Sequence, residues 1–443
     1  MSCIWEHITS LCKRSPKFFT GETSRSRFSL FKSNYNEEHV LAVKGSSKIE
    51  QMKLMFCGCW RRGKIGGGGG GSEQQQQSSS QPSPWNLFID LKTLEVATDD
   101  FSESNLLGQG GFGPVYKGVL ENGQEIAVKK LSLNSRQGVR EFTNEVKLLL
   151  KVQHRNLVSL LGCCIASDQK MLVYPYFPNR SLDHFLFGNS SAATLDWSKR
   201  FEIIRGVAKG LVYLHEESPV KIIHRDIKAS NILLDDQLNP KIADFGMARL
   251  FQGDDTHVNT FKISGTYGYM APEYAMNGYL SAKADVFSFG VLVLEIVSGR
   301  KNLDKRLDEE KSDLLSYAWK VFREGKALEI MDPTIPSGNG DEAAQCIQIA
   351  LLCCQAVLSD RPDMYTVHLM LSSDSFSLPK PGRPGTRGRV GRWTSTPNST
   401  LTKASTSSGG YTASDTTKAS TLYSVAEDHS RNSISVSFTT EGR

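Results

Sequence analysis

Between Ile222 and Asp236 the chain reads IIHRDIKASNILLDD, which sets a basic pair and then the isolated polar side chains Asp226, Lys228 and Asn231 between apolar flanks. A carboxylate, an ammonium and an amide so close together are either the working centre of an enzyme or a polar loop beside a core. Upstream, LLGQGGFGPVYKG places Gly108, Gly110 and Gly113 in G-x-G-x-x-G-x-V spacing. Such glycines let a backbone lie over phosphates, although the motif alone is a weak signal. Further on, EIAVKKL carries Ala127 and Lys129 two residues apart, and the next periodic segment carries Glu145.

The elements that must position these groups are legible. A dinucleotide-binding unit would put the glycines between a strand and a helix. Here a second strand-like run, Val115 to Leu120, follows them, then the turn pair Asn122-Gly123 and a third run, Glu125 to Leu131. That is a glycine-tipped hairpin. Residues two apart on a strand share a face, so small Ala127 can roof a flat base while Lys129 reaches its phosphates. Lys130 is expected in solvent. From Arg136 to Val152, Phe142, Val146, Leu149 and Leu150 fall at helical spacing. Glu145 adjoins that apolar stripe, where an acid needs a partner, and the ammonium of Lys129 suits it.

Composition divides the 443 residues into three parts. Residues 1–84 hold a run of six glycines (66–71), a glutamine run and serine-rich joints, and are expected to be disordered. Residues 85–379 carry strand and helix periods and form the folded domain. Residues 380–443 contain 24 Ser or Thr, with TKAST twice, and read as a disordered tail. Lys and Arg outnumber Asp and Glu by 12 to 6 in residues 1–85 and by 9 to 4 in residues 380–443. Out of a total of +5 this leaves the middle at about −6, so the basic balance belongs to the flanks and no nucleic-acid footprint falls on the folded part.

Nine cysteines without a regular framework fit a reducing compartment. No apolar run of signal-peptide length opens the chain. The most apolar stretch, Ala284 to Val297, is 14 residues long and holds Asp285 and Glu295, so it reads as a buried helix. A membrane span needs roughly 20. At MFCGCWRRGK, Cys57 and Cys59 sit beside Arg61, Arg62 and Lys64. Paired acylation with a basic patch, which would anchor the chain, and an unmodified segment stand there as equal readings.

The glycine motif, IAVK, HRDIKASN, DFG (Asp244 to Gly246) and APE follow in one order, and the set resembles the eukaryotic protein kinase signature. With DWSKR, GLVYLHEES and GTYGYMAPEYAMNG it is similar to the intracellular domain of plant receptor-like kinases, the cysteine-rich group most of all. The resemblance covers residues 85–379. It implies an α+β, two-lobed kinase fold, with a small antiparallel-sheet lobe and a larger helical lobe. It implies ATP and Mg2+, an acceptor hydroxyl on protein Ser or Thr, and autophosphorylation. By resemblance Asp226 takes or orients the hydroxyl proton, Lys228 steadies the transferred phosphate, and Asn231 and Asp244 hold magnesium. Lys129 pairs with Glu145; Val115, Ala127 and Leu233 enclose adenine; and Leu149, Phe245 and His224 form a column between the lobes. Glu273 and Arg361 match a buried ion pair.

Lys228 and Thr266 match the serine/threonine pattern, with activity on Tyr left open. Arg225 beside the catalytic Asp needs a counter-charge that a phosphate on the 244–273 segment would provide. Thr256, Thr260, Ser264 and Thr266 are the candidates, with Thr260 preferred and Thr266 expected on the substrate loop. The hinge reads MLVYPYFPN, with Pro175 where relatives usually carry Glu. Tyr174 is the gatekeeper, so the adenine contacts fall to the Pro175 carbonyl and the Phe177 N–H, and proline keeps its carbonyl. The resemblance further implies protein substrates and a membrane receptor complex as partners. A cytoplasmic chain is expected, peripheral at the plasma membrane if Cys57 and Cys59 are acylated. Two rivals remain: an inactive kinase-like scaffold and a membrane-tethered adaptor.

Overall fold

The structure, a computed structural model, describes residues 87–385 apart from 111–112, 132–135, 167–168, 189–194, 252, 254, 337–338 and 374–376, together with 433–437. Cys57, Cys59 and the rest of residues 1–86 lie outside the described residues.

The first lobe is built on a fully antiparallel sheet in the order β1-β2-β3-β5-β4, with β1 Leu106–Gly110, β2 Gly113–Val119, β3 Glu125–Lys130, β4 Gly162–Ala166 and β5 Gln169–Pro175. The glycines do tip a hairpin, β1–β2. The next turn uses Gly123 at φ +82°, a conformation that costs a residue with a Cβ and not glycine. Alternation along β3 decides which side chains meet the core: Ile126 and Val128 are buried with Leu94, Met171 and Val173, while Ala127 and Lys129 take the other face. Leu94 comes from α1 Leu91–Thr98, which packs on that core. Helix α2, Arg136–Leu149, ends three residues short of its expected limit and buries Phe142, Val146 and Leu149.

The second lobe is mainly helical: α3 Leu182–Phe187, α4 Trp197–Val212, α5 Pro272–Asn277, α6 Ala282–Ser298, α7 Leu314–Arg323, α8 Gly340–Cys353 and α9 Met364–Met370. The expected apolar helix is α6, and every residue from Ala284 to Ser298 is buried. It can be enclosed because α8 packs directly on it. A Cβ at Gly290 would stand 2.6 Å from both the Ala350 carbonyl oxygen and the Cys354 sulfur, so a larger residue would force the helices apart. Among the described residues no helix is long and apolar enough to cross a membrane. The five described cysteines are all buried and free.

Short strands carry the loops of interest. They are β6 Ile222–Ile223, β7 Ile232–Leu234, β8 Pro240–Ile242, β9 Arg249–Leu250, β10 His257–Asn259, β11 Lys262–Thr266, β12 Tyr279–Ser281 and β13 Ser433–Ser437. The pairs are β6–β9, β7–β8, β10–β12 and β11–β13, all antiparallel. Two departures from expectation concern the end of the folded domain. Backbone bonds from Ala356 to Arg383 and from Gly385 to Cys354 carry it past residue 379. The serine-rich tail, read as structureless, contributes a strand, β13.

Candidate active site

Lys129 and Glu145 meet as the sequence suggested. The lysine Nζ lies 3.3 Å from Glu145 Oε2 and 3.0 Å from Asp244 Oδ1. Burial acts to lower the pKa of Lys129, but the carboxylates of Asp244 and Glu145 outweigh it and raise the pKa. Burial likewise pushes Asp244 up, and the Lys129 ammonium overrides it and holds the carboxyl below its ordinary range. The ammonium and the Asp244 carboxylate therefore hold each other charged at neutral pH. Asp244 adopts φ +69°, a conformation that costs a residue other than glycine energy and is held here by its surroundings.

Asp226 is almost fully buried, yet both carboxylate oxygens are engaged. Thr266 Oγ1 donates to Oδ1 at 2.6 Å; Asn231 Nδ2 donates to Oδ2 at 3.0 Å; and Lys228 Nζ stands 3.0 Å from Oδ2. Lys228 also donates to Thr266 Oγ1 at 2.8 Å. A hydroxyl on a carboxylate with an ammonium beside it is the arrangement proton removal from an alcohol requires.

The Asn231 amide nitrogen is committed to Asp226, which leaves its oxygen to accept or to ligate. With the Asp244 carboxylate it offers two hard oxygen donors. Among the described residues no group of three or more His, Cys, Asp or Glu is placed to hold a metal. Two hard oxygen donors, one amide and one carboxylate, suit Mg2+, which draws much of its shell from phosphate and water.

The backbone at His224 and Arg225 is fixed by Asp285 of α6, noted in the sequence only as an interruption of an apolar run. Its carboxylate accepts the N–H of His224 at 2.7 Å, the N–H of Arg225 at 2.8 Å and His215 Nε2 at 2.9 Å. Burial pushes this carboxyl up, but the His215 contact, His224 and the Arg225 N–H bring it below its ordinary range. This clamp offsets the cost of φ +74° at Arg225. The signal was present: a carboxylate inside a wholly buried helix must have partners.

One further residue, Asn144, and the bond between Tyr174 and Glu145 escaped the sequence reading. The Tyr174 hydroxyl donates to Glu145 Oε1 at 2.6 Å, so the gatekeeper and Lys129 hold the glutamate together. Asn144 donates to the carbonyls of Phe245, Gly246 and Ala248 and ties α2 to the segment after Asp244. His224 and Phe245 pack edge to face at 4.9 Å, both buried, as is Leu149.

Val115 pairs with Lys129, and Ala127 with Tyr174, which puts these side chains on one face of the sheet. Gly108, at the hairpin, has nothing within 4 Å of the position of a Cβ. Gly110 and Gly113 pair across the hairpin tip. Val115, Ala127, Pro175, Phe177 and Leu233 are each only half-buried, unlike Ile126 and Val128. Because Pro175 keeps its carbonyl, Pro175→Glu is expected to change the ATP dissociation constant less than about tenfold by calorimetry. A larger shift would show that the proline itself shapes the hinge.

The candidate phosphate acceptors differ in access. Thr256 is exposed and Thr260 half-buried, whereas Ser264 and Thr266 are each 3% exposed. Arg225 meets neutral groups: Nε donates to the Tyr274 hydroxyl at 2.9 Å, and its terminal nitrogens reach the Met247 and Lys262 carbonyls, each at 3.1 Å. Glu273 and Arg361 form a bidentate pair at 2.8 and 3.0 Å.

Comparison with known proteins agrees with this geometry. The chain matches the family described as protein tyrosine and serine/threonine kinase over residues 101–371. It is 56% identical over 302 residues to cysteine-rich receptor-like protein kinase 41 of Arabidopsis thaliana, an alignment covering 67% of this chain and 45% of that one. Cysteine-rich receptor-like protein kinase 44 of the same plant is 55% identical over 302 residues, covering 67% and 80%. The G-type lectin S-receptor-like serine/threonine-protein kinase B120 is 55% identical over 295 residues, covering 66% and 35%. The alignments thus span less than half the length of the first and third of these relatives. On the family match, and with Lys129, Glu145 and Asp244 in one charged cluster and Asp226, Lys228 and Asn231 in another, this chain belongs to the protein tyrosine and serine/threonine kinase family.

Proposed function

We propose that the chain transfers the terminal phosphate of ATP to Ser or Thr hydroxyls of proteins, itself included. The observation that carries this reading is the Asp226–Lys228–Thr266 cluster, in which a threonine hydroxyl already donates to the buried carboxylate. Phosphoryl transfer asks for alignment and charge neutralisation more than covalent help. Asp226 receives the proton of the acceptor hydroxyl as its oxygen bonds to phosphorus and the bridging oxygen leaves with ADP. Lys228 offsets charge on the moving group, and Lys129, fixed by Glu145, orients the phosphates. Asn231 and Asp244 would hold Mg2+, which when bound neutralises phosphate charge. The hairpin of Gly108, Gly110 and Gly113 covers the phosphates; Val115, Ala127 and Leu233 enclose adenine; and Pro175 and Phe177 supply its backbone contacts.

Regulation in this reading runs through Arg225. Its terminal nitrogen and the Thr260 hydroxyl share the Lys262 carbonyl, at 3.1 and 3.4 Å, so a phosphate on Thr260 falls within reach of a guanidinium whose partners among the described residues are neutral. Thr256 is the second choice. The chain is read as a cytoplasmic relay within a receptor complex, with acylation at Cys57 and Cys59 as its membrane tether.

The test is transfer of radiolabelled phosphate from ATP with magnesium to the protein and to a basic Ser/Thr peptide, followed by phosphoamino-acid analysis. Phosphoserine and phosphothreonine are expected. Label chiefly on tyrosine would overturn the acceptor assignment, and no label at all would favour a binding scaffold.

A further inference from the structure

Strand β11 has two backbone edges, and the core of the lobe occupies one of them. The Ser264 N–H donates to the Tyr274 hydroxyl, which in turn donates to the Ser264 carbonyl, and Arg225 takes the Lys262 carbonyl. Peptide groups alternate along a strand, so Ile263 and Gly265 direct theirs to the opposite edge. On that edge lies β13, in antiparallel register: Lys262 opposite Ser437, Ile263 opposite Val436, Ser264 opposite Ser435, Gly265 opposite Ile434 and Thr266 opposite Ser433. The alternation of an antiparallel ladder then assigns the hydrogen-bonded pairs to Ile263 with Val436 and Gly265 with Ile434.

The place is functionally pointed. Thr266 closes β11 and bonds Asp226, so Ser433 stands one strand away from the residue on the catalytic carboxylate. Residues 433–437 read SISVS, an alternation of apolar and polar residues that fits an added edge strand and has serine, the acceptor type, at every second position of the sequence. Strand addition to an exposed edge is a general way to hold an extended peptide, with affinity from the main chain and selectivity from alternate side chains.

We infer that Ser433–Ser437 occupies the outer edge of Lys262–Thr266 as a competitor, built into the same chain, for extended Ser-containing substrate peptides. The inference rests on the proposed kinase reading for its consequence, and on strand pairing for its existence. In sequence the segment begins 48 residues after Gly385, so its local concentration at the lobe is on the order of 1 mM. If its intrinsic dissociation constant is on the order of 0.1 mM, about one molecule in ten has the edge open, and the apparent KM for an added peptide rises about tenfold. The kcat is unaffected, because a peptide that has displaced the tail meets the same Asp226.

The experiment compares the full chain, a chain ending at Asn432, and the double variant Ile434→Pro/Val436→Pro, in which both hydrogen-bonding N–H groups of the tail strand are removed. Amide hydrogen exchange without ATP reads the docking directly. Slow exchange at Ile263 and Gly265 is expected in the full chain and fast exchange in the other two, while amides within α6 stay protected in all three. Peptide phosphorylation should show KM about tenfold lower in both altered chains at unchanged kcat. Equal exchange at Ile263 and Gly265 in all three proteins would overturn the inference and leave the kinase reading intact. Altered exchange with no phosphate transfer by any of them would uphold the docking edge and remove the kinase reading instead. Altered exchange with an unchanged KM would refute the competitor role.

Discussion

Replacing Asp226 by Asn is expected to lower phosphate incorporation by about 10³-fold, within the range that a positioned proton acceptor supplies, or about 4 kcal/mol of barrier. The change is nearly isosteric, yet it removes the one group that joins Thr266, Lys228 and Asn231. In the proposed reading nucleotide affinity rests on other residues, Lys129 and the half-buried apolar face among them, so calorimetry should find the ATP dissociation constant within about threefold of the original if the loss is one of transition-state interaction alone. Asp226→Asn that keeps more than about a tenth of the activity would move the proton acceptor elsewhere. Weak ATP binding in the variant would instead mark Asp226 as a structural anchor of the cleft.

The largest loss of stability is expected at Arg361→Met. The guanidinium is 1% exposed and makes two bonds to Glu273, two to the Gln355 carbonyl and one to the Lys283 carbonyl, with its plane over Phe287 at 5.2 Å. Removing one partner of such a pair strands the other, at a cost of about 3–5 kcal/mol. At about 2–4 °C per kcal/mol for a domain of this class, the melting temperature should fall by roughly 6–20 °C. Arg361→Met combined with Glu273→Gln should lose less than Arg361→Met alone, since no carboxylate is left unpaired. A shift of about 1 °C in the single variant, or no recovery in the double, would mean that water reaches Glu273 and the pair contributes little.

The chemistry of the site was legible because kinase work is distributed over short local motifs. HRDIKASN fixes Asp226, Lys228 and Asn231 within six residues, and one strand carries both Ala127 and Lys129. Periodicity gave the hairpin, the amphipathic α2 and the buried α6, since each reflects which face a residue of given polarity must take. Glu145 could be paired with Lys129 because an acid beside an apolar stripe has few other reasons to be there.

The residues that escaped are those whose partners lie far away in sequence. Asp285 acts on His224 and Arg225, some sixty positions earlier, and in the sequence it is only an acid in an apolar run. Tyr174 reads as a hinge aromatic until its hydroxyl is found on Glu145. Asn144 binds carbonyls of the DFG segment, and main-chain carbonyls carry no residue type by which a sequence could announce them. The tail strand is the extreme case. SISVS is a five-residue alternation in serine-rich chain, too short to bury an apolar face alone, and only the edge offered by Lys262–Thr266 makes it a strand. By itself the sequence determined the kinase family and named the candidate groups, because these depend on residue type and local spacing. Tertiary structure decided what clamps those groups and which segment pairs with Lys262–Thr266, because both depend on contacts between segments that only the folded chain brings together.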